Sequence, residues 1–176
     1  LAADASVRLV RHALGARVVY DDTGTFDVDA GGRAIRWERR DGVSEEAVRT
    51  DLISRVLATA LHVAGVTVLH GSGVVADGRA LAFLAPKLHG KSTIATALVR
   101  AGAALLSDDA LPVEAGTPPR ARPGVHSVRL WNDTAARLAP DAEHMALGTK
   151  RLLRDLPPRS LARSAAPLAA IYLLAP

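Results

Sequence analysis

The sequence predicts an α/β protein: a mixed sheet flanked by helices around a phosphate-binding loop, preceded by a small β-rich lobe. Three observations lead there. Residues 81–109 read as a buried strand (80–84), a turn, a helix and a second buried strand (103–106) that ends in Asp108 and Asp109. The turn carries Gly90-Lys91-Ser92, the closing letters of G-x-x-x-x-G-K-[ST], between a strand and a helix as that pattern requires. Before residue 44, short alternating runs are separated by turn signals, as in small antiparallel sheets. The expected division is a β-rich lobe over 1–43 and a phosphate-loop domain over 44–176.

At 176 residues the chain has room for one sizeable core, or one core with an appendage. Aromatic residues make up only 3%, so that core must be aliphatic. With no cysteine, disulfides and thiolate metal sites are excluded, which fits a reducing, cytoplasmic setting. No apolar run approaches the ~20 residues of a membrane span, and no signal peptide is read. The formal charge is +4, but the arginines are scattered rather than gathered in one run. They read as solvated surface, and neither nucleic acid nor membrane is an expected partner. The chain opens on Leu1 and stops at Pro176 after an apolar run, so both ends read as cut from something longer.

In order along the chain, 16–20 and 25–29 read as strands around the turn 21–24, and Ala30-Gly31-Gly32 turns into a third strand over 33–37. Ser44 is an N-cap, with Glu45 and Glu46 placed favourably against the helix dipole. Apolar residues then recur at helical spacing until Gly65 stops the helix as its C′ residue. A short strand over 66–69 delivers His70-Gly71-Ser72-Gly73, read as a glycine-rich turn. Strand resumes over 74–76, and Asp77-Gly78 marks a hairpin into the strand before the loop. Residues 111–114 are strand, 116–124 loop, 128–131 extended, and 133–138 a short helix capped by Asn132 or Asp133. Little is readable over 140–166, where Pro157-Pro158 breaks whatever precedes it; 167–174 is a last strand.

The chemistry concentrates in the loop. Ala85, Pro86, Lys87, Leu88, His89, Gly90, Lys91, Ser92 and Thr93 are the expected nucleotide-binding residues. In such a loop backbone N–H groups and a helix N-terminus face an anion, the lysine reaches the outer phosphates and the hydroxyl holds Mg²⁺. One letter departs from the pattern: its leading glycine is Ala85. Asp108 and Asp109 end an apolar strand, where an open α/β sheet presents its site. Adjacent carboxylates on extended chain point apart, so one could hold Mg²⁺ while the other takes a proton from an attacking hydroxyl. Taken alone, an Asp-Asp pair merely caps a turn, and a lone histidine such as His70 is usually structural.

The order of these parts resembles the HPr kinase/phosphorylase family. The matching segments are H70-G-S-G-V-V-A-D-G, L81-A-F-L-A-P-K-L-H-G-K-S-T and R100-A-G-A-A-L-L-S-D-D109, with 128–131 matching loosely. The likeness covers about residues 66–115 and is greatest to the shorter members found with peptide-modification pathways. It implies the HPr kinase/PEP carboxykinase type of fold. It also implies Lys91 and Ser92 on the phosphates and Mg²⁺, Asp108 as base, Asp109 as metal partner with Ser92, and His70 near the reacting phosphate. Arg129 and the Lys150-Arg151 pair are further candidate phosphate contacts. Self-association is implied as well. The family's later glycine-rich signature has no equivalent here, so neither phosphorolysis nor HPr as substrate is carried over.

The expected function is ATP- and Mg²⁺-dependent transfer of a phosphoryl group to a hydroxyl, on a serine of a peptide or protein. The alternatives are a nucleotide-binding regulatory or recognition subunit without transfer activity, and a partner-binding module whose loop binds nothing.

Overall fold

In a computed structural model, residues 7–142, 144–147, 150–153 and 156–175 are described. The chain forms two compact units that divide between Val68 and Leu69, so the helical segment after Ser44 belongs to the first unit rather than to the domain expected from residue 44.

The first unit is a four-stranded antiparallel meander of β1 (Val7–His12), β2 (Gly15–Tyr20), β3 (Gly24–Asp29) and β4 (Ile35–Arg39), closed by a helical segment. The period of two places Ala16, Val18 and Tyr20 of β2 and Phe26 and Val28 of β3 on one buried face. Phe26 meets Tyr20 edge-on, with ring centroids 6.0 Å apart, and stacks on Trp37 at 6.3 Å. Helix α1 (Glu45–Asp51), a π-helical turn (Leu52–Val56) and α2 (Leu57–Val63) run on continuously and cover this face with Val48, Val56 and Ala60. Ser44 caps the start, its hydroxyl accepting from Ala47 N at 3.2 Å. At the end Gly65 takes φ +83° and donates to His62 O, while Val66 N donates to Leu61 O, the Schellman arrangement.

The second unit is built on a six-stranded mixed sheet of β5 (Thr67–Ala76), β6 (Arg79–Leu84), β7 (Ala104–Ser107), β8 (Ala110–Glu114), β9 (Arg120–Ala121) and β13 (Ala166–Leu173). Strand β13 is parallel to β6, whereas β5 is antiparallel to both β6 and β7. The chain leaves β5 through Asp77-Gly78, at φ +48° and +73°, and turns into β6. Helix α3 (Lys91–Arg100) follows β6 and ends at Gly102 with the same Schellman pairing, Ala103 N to Leu98 O. A separate three-stranded antiparallel sheet orders β10 (Val128–Trp131), β12 (Lys150–Leu153) and β11 (His144–Leu147), and α4 (Asn132–Leu138) follows β10.

Three expectations are corrected here. His70-Gly71-Ser72-Gly73 is not a turn but the middle of a continuous ten-residue strand. Its glycines are there for close approach: a Cβ on Gly71 would lie 2.4 Å from Leu84 Cδ2, and one on Gly73 2.8 Å from Leu111 Cδ1. The loop over 116–124 holds the short strand β9, which bridges β8 and β13. Helix α4 has no side-chain cap from Asn132 or Asp133; both lie inside it, after Trp131. Among the described residues no helix is long and apolar enough to cross a membrane.

Candidate functional site

Sheet direction assembles the site. Because β5 lies antiparallel between β6 and β7, those two strands run the same way, and their C-terminal ends share one edge. The loop after β6 and the Asp108-Asp109 pair after β7 therefore emerge together, where an open sheet presents its ligands. The register brings β5 to the same edge, with Gly71 opposite Leu84 and Gly73 opposite Ser107. His70 and Ser72 are carried there with it.

The loop over 85–90 is held in a tight conformation. Leu88 and Gly90 take φ +76° and +80°, and Ala85 is not among the positive-φ residues. Ala85, in place of the pattern's leading glycine, therefore carries no left-handed backbone strain. Backbone strain falls instead on Leu88, an exposed side chain in the left-handed region. Lys91 opens α3 and is 8% exposed. Its ammonium donates to the carbonyls of Ala85 at 2.9 Å and Pro86 at 3.1 Å, which draws a cation across the loop. The first N–H groups of a helix have no partner within it, so the loop faces a donor-rich end. Pro86 and Lys87 are exposed at the rim, and His89 Nδ1 lies 2.9 Å from Lys87 O. Thr93 is half-buried in the first turn.

Asp108 is the centre of the polar cluster. It is 4% exposed, and its Oδ1 accepts from Ser72 Oγ at 2.5 Å. Ser92 Oγ lies 3.0 Å from both of its carboxylate oxygens, and Arg129 N donates to Oδ2 at 3.5 Å. Burial pushes the Asp108 carboxyl above its ordinary range, and the neighbouring Asp109 charge adds to that. The serine hydroxyls pull the other way, since they bond the ionised form. Asp109, in the left-handed region at φ +67°, turns away from this cluster and pairs with the guanidinium of Arg129. Its backbone carbonyl accepts from Gly71 N at 3.3 Å and lies 3.1 Å from His70 Nδ1.

The structure thus brings together His70, Lys91, Ser92, Asp108, Asp109 and Arg129. It departs from the expected pairing in one respect: Ser92 meets Asp108, not Asp109. Ser72 is a site residue to which the sequence pattern assigns no role. Its segment reads as a turn, and the partner of its buried hydroxyl is 36 residues away. Lys150 is also near. Burial and then the Arg129 and Lys87 charges lower its pKa, against the pull of Asp109 and Asp108. Arg151, opposite Leu130, is half-buried on β12.

Among the described residues no three His, Cys, Asp or Glu side chains are grouped to hold a metal by themselves. Ser92 and Asp108 offer adjacent oxygen donors, which suits a hard cation whose remaining ligands come from water or a bound phosphate. No family model matches the chain, and no curated protein matches it.

Proposed function

We propose that the chain is a Mg²⁺–ATP-dependent phosphotransferase, similar to the HPr kinase/phosphorylase family, acting on a serine hydroxyl of a peptide or protein. The observation that carries this reading is the shared carboxylate. Ser92, next to Lys91 at the head of α3, reaches across the site to a buried aspartate at the end of β7. A turn that resembled the phosphate loop by chance would have no reason to meet that residue.

Lys91 would exchange its two carbonyl partners for the β- and γ-phosphates. Ser92 and Asp108 would hold Mg²⁺, with Ser72 fixing the carboxylate from behind. Such a cation would supply charge neutralisation for the phosphoryl group being transferred. The roles of the two aspartates are thereby exchanged relative to the expectation from sequence. Asp109, facing outward, accepts the proton of the acceptor hydroxyl as that oxygen forms its bond to the γ-phosphorus. The bond to the β–γ bridging oxygen breaks, and ADP leaves. His70, whose Nδ1–H can donate to the Asp109 backbone carbonyl, would serve as a second proton carrier. Arg129 holds the Asp109 carboxylate in place through their ion pair.

Phosphoryl transfer from labelled Mg²⁺–ATP to serine-peptide pools tests this. Asp109→Asn should bind Mg²⁺–ATP yet transfer at least about a hundredfold more slowly. Asp108→Asn should lose the Mg²⁺ dependence of nucleotide binding. A wild-type protein that binds Mg²⁺–ATP but transfers nothing to any pool would replace this reading with the regulatory subunit.

A further inference from the structure

The two adjacent carboxylates divide the site into two sides. Asp108 turns to Ser72 and Ser92, the side proposed for the nucleotide, whereas Asp109 turns to Arg129 on β10. On that second side the β10–β12 register sets Trp131 directly opposite Lys150. Opposed residues of an antiparallel pair project from the same face, and Arg129, two residues before Trp131, projects there too. The Lys150 ammonium sits 4.9 Å from the centroid of the Trp131 ring, which is 39% exposed.

Lys150 has no carboxylate within ion-pair distance among the described residues, while the Arg129 guanidinium is already engaged by Asp109. Burial, and after it the positive charge of Arg129 and of Lys87, bears on it, so its own charge is held at a cost. An incoming anion would relieve that cost. The indole face beside it supplies an apolar platform for an extended chain. Resting on the phosphotransferase reading, we propose that the acceptor is an acidic peptide, and that Lys150, seated on Trp131, binds a peptide carboxylate next to the hydroxyl facing Asp109.

Three serine-centred peptide pools test this with the full chain and Mg²⁺–ATP. One has Asp and Glu flanks and an amidated C-terminus, one has neutral flanks and a free C-terminal carboxylate, and one is neutral and amidated. Wild type should favour one of the first two over the third by about tenfold in kcat/KM, mostly through KM. The favoured pool tells whether the carboxylate is a side chain or the chain end. Lys150→Gln should reduce the preference to below about twofold, and Lys150→Arg should keep most of it. Equal use of all pools, or a preference unchanged in Lys150→Gln, overturns the inference while the phosphotransferase reading stands. If no pool is phosphorylated, that reading has failed, and tryptophan fluorescence titration with the same pools decides the carboxylate site alone. Lys150-dependent binding of a carboxylate-bearing pool supports it, and its absence overturns it.

Discussion

The two units of this chain bury different things. The core of the first is almost wholly apolar, with Phe26 and Val28 facing Val18 and Ala16 across the β2–β3 ladder and charges such as Arg17 and Asp27 paired on the outside. Its buried polar groups among the described residues include the Thr23 side chain and the Tyr20 hydroxyl. The second unit buries Ser72, Lys91, Thr96, Ser107 and Asp108, and Asp108 and Lys91 lie where the sheet edge, the loop and α3 meet. Polar groups taken from water lower stability unless each is satisfied. Here Ser72 and Ser92 satisfy Asp108, and two loop carbonyls satisfy Lys91, with ligands that a bound phosphate and cation could replace. The first unit is built to be stable; the second holds charge ready at some cost to its stability.

Substitutions of opposite sign should expose that difference. The largest effect is expected from Phe26→Ala, which removes a fully buried ring packed on Tyr20 and Trp37. It should cost about 3–5 kcal/mol in the first unit, with little dependence on pH. Asp108→Asn should do the reverse. Because the folded-state pKa of Asp108 is raised, its contribution to stability is present below the ordinary carboxylate range and is lost as pH rises through that raised value. The variant should therefore melt higher than wild type at neutral and alkaline pH, with a gap that closes on acidification. A variant that melts lower at every pH would show Asp108 to be a structural anchor instead. The smallest change is expected at Leu88, where glycine relieves a left-handed backbone but loosens the unfolded chain. Leu88→Gly should gain roughly 0.5–1 kcal/mol, read by thermal melts, without weakening nucleotide binding.

The same contrast explains what could be read from sequence. In β2 and β3 every second residue is apolar, so period and burial agree and the strands are evident from the residue pattern alone. Ser44 and Gly65, like the Asp77-Gly78 turn, are local signals with local causes, and they sit where expected. The segment from Gly90 through α3 is legible for the same reason. What escapes is set by distant partners. His70 to Gly73 reads as a turn because glycine serves both turns and tight sheet contacts, and only Leu84 and Leu111 decide which. Strands β11 (HMAL) and β12 (KRLL) show no alternation of polar and apolar residues, and β12 is defined by pairing with β10. That Ser92 chooses Asp108 over its neighbour depends on the backbone at Asp109, which no residue pattern announces.

Calorimetric titration of Mg²⁺–ATP into wild type and Lys91→Ala tests the central claim most directly. Binding by wild type that disappears in Lys91→Ala is the predicted result, because the cation that the Ala85 and Pro86 carbonyls hold across the loop is then gone. Absence of binding to wild type, or equal binding to both, would contradict the account and leave the loop over 85–90 without a phosphate to hold.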